Sequence, residues 1–168
     1  KDKAIKKQLS FGVVTFDPHP RDFFSSKNSS FKLLDQGEKE YQLAKLGADY
    51  LIIINFNEEL KNCSPNEFLS DILYKTFRVK KMFAGSNFKF GKNREGTIVG
   101  SKQYANKIGL EIVGVDLAQT KIIKYENDAE LKVISSQAIR SLIQDGKLNA
   151  AANLLGRNWC VTGSVIKG

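Results

Sequence analysis

A chain of 168 residues that is 42% hydrophobic and 26% charged has the material for a soluble globular domain with a core, which excludes fibrous and disordered classes. Its longest apolar run, Tyr50-Leu51-Ile52-Ile53-Ile54, is far below the roughly 20 residues that cross a bilayer, and no charged-then-apolar signal segment opens the chain, so a cytoplasmic protein with no membrane partner is expected. The net charge of +8 comes with lysines scattered over 1–7, 80–81, 89–92 and 121–124, a pattern that mostly means solubility and argues against a nucleic-acid partner, while charge alone attracts polyanionic small molecules about as readily as nucleic acid and does not choose between them.

In chain order, Lys1 to Leu9 reads as the tail of a helix, and Phe11 to Phe16 as a short apolar strand that stops at Asp17-Pro18-His19-Pro20. Helical spacing of Tyr41, Leu43, Ala44 and Leu46 predicts a helix from Glu38 to Leu46, closed by Gly47 and followed by a second strand, Leu51 to Ile54. Ser64-Pro65 with Glu67 opens a helix carrying Phe68, Leu69, Ile72, Leu73 and Phe77, and Lys81 to Ala84 is a third strand ending in Gly85. Ser101 to Ile108 is a helix and Leu110 to Val115 a fourth strand. Two β-prone runs, Lys121 to Tyr125 and Leu131 to Ile134, flank Asn127-Asp128 as a hairpin flap. Cys63 and Cys160 lie far apart, and with one histidine in the chain they support neither a disulfide framework nor a zinc site. Both are expected to be reduced, and no metal-ligating set is read from the sequence.

Short apolar strands alternating with helices predict an α/β domain: a Rossmann-like parallel sheet with helices on both faces and a small β-hairpin flap, with ligands beyond the carboxyl ends of the strands. Two loops lie at such ends. In Asp17-Pro18-His19-Pro20 the prolines fix two φ angles and hold His19 in a stiff, extended pose, facing a ligand or merely held by the loop. Phe16, Phe23 and Phe24 bracket it, as core residues or as rings for a flat aromatic substrate. Gly85 to Gly91 has glycine at both ends, Asn87 as donor and acceptor, and Phe88 and Phe90 on opposite sides; Asn93 to Gly96 reads as the turn that follows.

Ser135-Ser136-Gln137-Ala138-Ile139-Arg140 is the most informative stretch. Ser135 is a natural N-cap, and Ile139, Leu142 and Ile143 form the buried face of a helix ending near Asp145-Gly146. Ser136 and Arg140, four apart, share one side of it. Free N–H groups, the helix dipole and a forked cation then converge on one point suited to a phosphate. The same residues also describe an ordinary capped helix with a solvated arginine.

These motifs together, Thr15-Phe16-Asp17-Pro18-His19-Pro20, Gly85-x-Asn87-Phe88-x-Phe90-Gly91 with Gly96, Ile134-Ser135-Ser136-x-x-Ile139-Arg140, and Leu154-Leu155-Gly156-Arg157 with Gly163 to Gly168, resemble in content and order the bacterial bifunctional riboflavin kinase/FMN adenylyltransferase family, or FAD synthetases. The resemblance runs from about Phe11 to Gly168. It implies an HxGH-type nucleotidyltransferase that moves AMP from ATP to FMN, giving FAD and pyrophosphate with Mg2+. It also implies that Ser135, Ser136 and Arg140 grip the ATP phosphates as catalytic residues. Phe16, Asp17, His19, Phe24, Asn87 and Phe90 then fall where the family builds its flavin pocket and the junction with ATP. Residues 1–157 become the adenylyltransferase domain and 158–168 the start of the riboflavin kinase domain. Gln137 stands where the family usually has threonine. The family's Gly-x-Phe-Asp-Gly-x-His-x-Gly-His segment is expected upstream of Lys1. Two other readings compete: another HxGH transferase, acting on pantetheine phosphate or nicotinate mononucleotide, and a basic nucleic-acid-binding module.

Overall fold

The elements follow from caps and breakers that the sequence carries, and the computed structural model describes residues 1–24, 32–116, 119–123 and 129–166. After α1 (Asp2–Lys6), the apolar run Gly12–Asp17 is β1. Pro20, with its φ already helical and no N–H to satisfy, opens α2 (Pro20–Phe24), a helix not anticipated from the sequence. Asp35 caps α3 (Gln36–Lys45) by accepting the Glu38 N–H at 2.7 Å, and Gly47 at φ 75° turns the chain into β2 (Tyr50–Asn55). A second unanticipated helix, α4 (Glu58–Asn62), has Asn57 as its cap.

Ser64 and Glu67 form a reciprocal capping box that starts α5 (Pro65–Glu67), and the helix widens into π turns over Phe68–Thr76. Strand β3 (Lys81–Gly85) follows, then β4 (Lys89–Phe90), a 3-10 turn (Lys92–Arg94) and β5 (Gly96–Thr97). Helix α6 (Ile98–Lys107) begins three residues before the expected Ser101, because Thr97 already caps it by accepting the Gly100 N–H at 3.0 Å. Strand β6 (Glu111–Val115) completes this run. Strands β7 (Gln119–Ile123) and β8 (Ala129–Val133) pair in a two-stranded sheet where the hairpin is expected, and the turn at Asn127-Asp128 lies outside the described residues. Ser135 then caps α7 (Ser136–Gln144), and α8 (Leu148–Leu155), absent from the sequence reading, ends at Gly156 in the left-handed conformation.

The parallel α/β expectation is borne out. Strand β1 pairs in parallel with β2, Gly12 opposite Tyr50 through Asp17 opposite Asn55, and β3 pairs in parallel with β6, Lys81 opposite Glu111 through Gly85 opposite Val115. Each parallel pair needs a long crossover between its strands, which the intervening helices supply. Contacts divide the chain into two units, 1–55 with 120–168, and 56–119.

In the 56–119 unit, Leu69, Ile98 and Leu110 are fully buried, with Phe68, Leu73, Phe90 and Ile112 around them. In the other unit the buried hydrophobic side chains among the described residues are Ile139 and Ala151, on the mutually packed helices α7 and α8.

Gly91 shows why glycine ends the 85–91 loop. Its φ is 71°, and a Cβ there would lie 2.6 Å from the Pro65 nitrogen and 2.8 Å from that ring's carbons. The close approach is to the start of α5, and Lys92 N–H locks it by donating to the Cys63 carbonyl at 2.7 Å. Gly91→Ala is expected to destabilise the protein by about 1–3 kcal/mol, from a strained φ combined with a backbone clash, measured by urea unfolding.

Candidate functional site

The carboxyl end of β1 is built first. Register carries Phe16 opposite Ile54 and Asp17 opposite Asn55, so the ladder ends at Asp17 and the chain turns there through a cis Asp17–Pro18 peptide. The His19 carbonyl accepts N–H groups of Asp22 at 2.8 Å and Phe23 at 3.0 Å, so His19 stands at the head of α2 rather than in a loose extended loop. Its ring Nδ1 accepts the Arg21 N–H at 3.1 Å. That bond fixes the neutral tautomer with its proton on Nε2, which makes Nε2 a donor to whatever lies beyond it.

Charge gathers on this ring. Partial withdrawal from water lowers the His19 pKa below the ordinary histidine value; Asp22 opposes this, while Arg21, Arg140 and Lys39 each push it further down. Arg140 lies on α7, more than a hundred residues away in sequence, so the fold brings two of the sequence motifs to one place. Asp17 is held by Lys32, whose Nζ lies 3.2 Å from Oδ1 in an exposed pair of small energetic weight. Phe24 is exposed and sits edge-on to Phe23, centroids 5.5 Å apart, while Phe16 and Phe23 are half-buried.

Helix α7 is oriented by its apolar face. Ile139 is buried and Leu142 and Ile143 are half-buried, which leaves Ser136 exposed and Arg140 half-buried on the adjoining face. Ser135 Oγ accepts the Ala138 N–H at 3.2 Å, so this hydroxyl serves as the cap. The helix start and Arg140 together supply N–H donors and a guanidinium, which is chemistry for an anion.

Asn87 and Phe90 belong to the 56–119 unit. Phe88 N–H donates to the Gly85 carbonyl at 2.8 Å, making a turn that leaves Asn87 exposed. Phe90 is buried, 5.6 Å from the Phe68 ring, and Phe88 stacks on it at 5.7 Å. Phe90 therefore supports the loop from its core, and Phe88 is the half-buried ring nearer the surface. Both cysteines are free, and burial raises the Cys63 thiol pKa. Among the described residues no helix is long and apolar enough to cross a membrane.

The FAD synthetase family model matches residues 1–128 of this chain. The chain belongs to the FAD synthetase family. The bifunctional riboflavin kinase/FMN adenylyltransferase of Escherichia coli K12 is 31% identical over 167 residues, covering 99% of this chain and 50% of that protein. The protein of the same name from Listeria monocytogenes is 32% identical over 169 residues, covering all of this chain and 50% of its own length. This chain thus spans about half the length of the curated relatives it matches. A crystal structure described as a macrolide-efflux protein from Streptococcus pneumoniae superposes with a TM-score of 0.77 and 25% identity over 94% of this chain and 48% of that one. That likeness carries the fold.

In this member of the FAD synthetase family, Lys32 and Lys39 are the residues that sequence reasoning missed. Both are ordinary surface lysines by pattern, and only proximity to Asp17 and His19 distinguishes them. Because His19 binds a proton less readily in the folded state than unfolded, its contribution to stability is present above the unfolded pKa and declines as pH falls through that value toward the folded one. An NMR titration of the single histidine should show a midpoint below the ordinary histidine value, and Arg140→Gln should raise it. An unchanged midpoint in that variant would separate Arg140 from His19.

Proposed function

We propose that this chain carries the FMN adenylyltransferase activity in its relatives' names, moving AMP from ATP to FMN. The observation that carries the reading is that Arg140 of the Ser135–Arg140 motif lies near enough to act on the charge of His19 in the Thr15–Pro20 motif, within one unit of a FAD synthetase-family fold. An FMN phosphate oxygen attacks the α-phosphorus of ATP, a new P–O bond forms, and the bond to the bridging oxygen of the β-phosphate breaks, releasing pyrophosphate. The nucleophile is already ionised, so the work falls on alignment and on charge at the departing group.

Arg140, Ser136 and the N–H groups at the head of α7 take the triphosphate, with Ser135 holding that helix start in shape. The His19 Nε2–H donates to an oxygen at the junction of the two substrates. Phe16 and Phe24 offer ring surface to a flat aromatic substrate such as the isoalloxazine, while Asn87 and Phe90, in the 56–119 unit, are assigned to flavin by the family resemblance alone, with Phe90 backing the Asn87 loop. Asp17, at the rim of this turn, pairs with Lys32. Mg2+, if bound, would serve as counterion of the triphosphate and would be held mainly through the substrate phosphates. Among the described residues no three His, Cys, Asp or Glu side chains converge to hold it. Substrates of this kind suit a cytoplasmic enzyme, and dispersed lysines argue against a nucleic-acid partner. Residues 1–157 form the adenylyltransferase domain in this reading and 158–168 lead toward riboflavin kinase, the second activity in the relatives' names.

In the intact protein, Arg140→Ala should lower FAD formation from FMN and ATP by about a hundredfold or more, as loss of a transition-state donor does elsewhere. Unchanged turnover rejects its role. Asn87→Ala should weaken FMN binding more than ATP binding, read by flavin fluorescence and calorimetry. Equal losses on the two substrates would move the flavin pocket elsewhere.

A further inference from the structure

The chain that leaves α8 runs back over the start of α3 and touches it at three places. Arg157 Nη1 lies 3.6 Å from Glu38 Oε1, in a pair whose side chains are each only about one-fifth exposed. The Trp159 indole Nε1 donates to the Leu33 carbonyl at 3.1 Å. Thr162 lies beside the Asp35 carboxylate, which is held below the usual carboxylate range first by the Glu38 N–H and then by Thr162. Leu33, Asp35 and Glu38 are the lead-in, the cap and the third residue of α3, so a strap of six residues, 157 to 162, grips the beginning of that helix.

The gripped segment is also the one that supplies cations to the candidate site. Lys32, next to Leu33, pairs with Asp17 at 3.2 Å, and Lys39, next to Glu38, acts on His19. A cavity of about 330 Å3 lies beside the strap, lined by Lys32, Leu33, Asp35, Trp159 and Ile143 of α7, among others. The Lys32–Asp35 segment thus borders an open cleft rather than packed side chains on that side. Directional bonds from the strap hold it.

We propose that Trp159 is a positioning residue, which holds the segment from Lys32 to Lys39 against the Asp17–His19 turn and thereby sets the geometry of flavin binding. The proposal rests on the reading of that turn as part of the flavin-nucleotide site. Trp159 touches no substrate. It acts through Leu33 and, beyond it, through the Lys32–Asp17 pair. The bonds described here reach Leu33 and Asp17 rather than the head of α7, so FMN binding should depend on them more than ATP binding does.

Two variants test this, Trp159→Phe, which keeps a ring and removes the N–H donor, and Thr162→Val, which removes a neighbouring tie. The 168-residue chain has one histidine and one tryptophan, so His19 can be titrated by NMR without ambiguity. In each variant the His19 midpoint should rise as Lys39 moves away, FMN affinity should fall about threefold to tenfold, and ATP affinity should hold. Unchanged His19 titration and FMN affinity in both folded variants would overturn the proposal. So would equal losses of FMN and ATP affinity with lowered thermal stability, the signature of a merely structural tie. If the unsubstituted chain binds no FMN, the flavin reading fails, and the strap is judged on His19 alone.

Discussion

Three cations, Arg21, Arg140 and Lys39, act on one histidine at the end of the first parallel strand, with Asp22 as the opposing carboxylate among the charges that shift it. Like charges held near one another repel, and an anion placed among them relieves that repulsion. The fold sustains this because each cation comes from a different element with its own reason to be where it is. Arg21 sits in the first turn of α2, Lys39 in α3, and Arg140 in α7 beside a buried Ile139. None of these helices needs the histidine in order to form, and each contributes a charge that acts on it.

The same arrangement explains why local caps matter so much here. Asp35 and Ser135 are not ligands in the first instance; each spends its side chain on a helix N–H and so settles where its helix begins. A slip of one residue at either start would rotate Lys39 or Arg140 by about 100° about its helix axis. Placement of charge at the site is therefore set by short polar contacts at helix ends, in a unit whose buried apolar side chains among the described residues are few. The 56–119 unit has the opposite balance. There, a buried apolar cluster of Leu69, Ile98 and Leu110 supports a surface loop, and Phe90 belongs to the cluster while Asn87 belongs to the loop.

Glycine and proline changed meaning between sequence and structure. At Gly91 the freedom that a loop-ending glycine gives serves to accommodate Pro65. Pro20 looked like a loop stiffener and instead starts a helix, which turns His19 from a restrained loop residue into one whose carbonyl and ring nitrogen are both engaged. In both cases the backbone preference was read correctly, and the neighbour that used it was not visible.

From sequence alone, four apolar strands, the caps at Ser64 and Ser135, the hairpin runs and the shared helix of Ser136 and Arg140 were legible, because each rests on periodicity or on contacts within four residues. The short helices α2 and α4 and the helix α8 were not, since single turns and a Gly-ended apolar segment leave a weak period. Only the tertiary structure decided that Arg140 shares a field with His19, that Lys32 and Lys39 belong to the same place, and that Trp159 reaches Leu33 across 126 residues. Those are through-space relations between residues distant in sequence. They depend on strand register and helix packing, which no local pattern encodes.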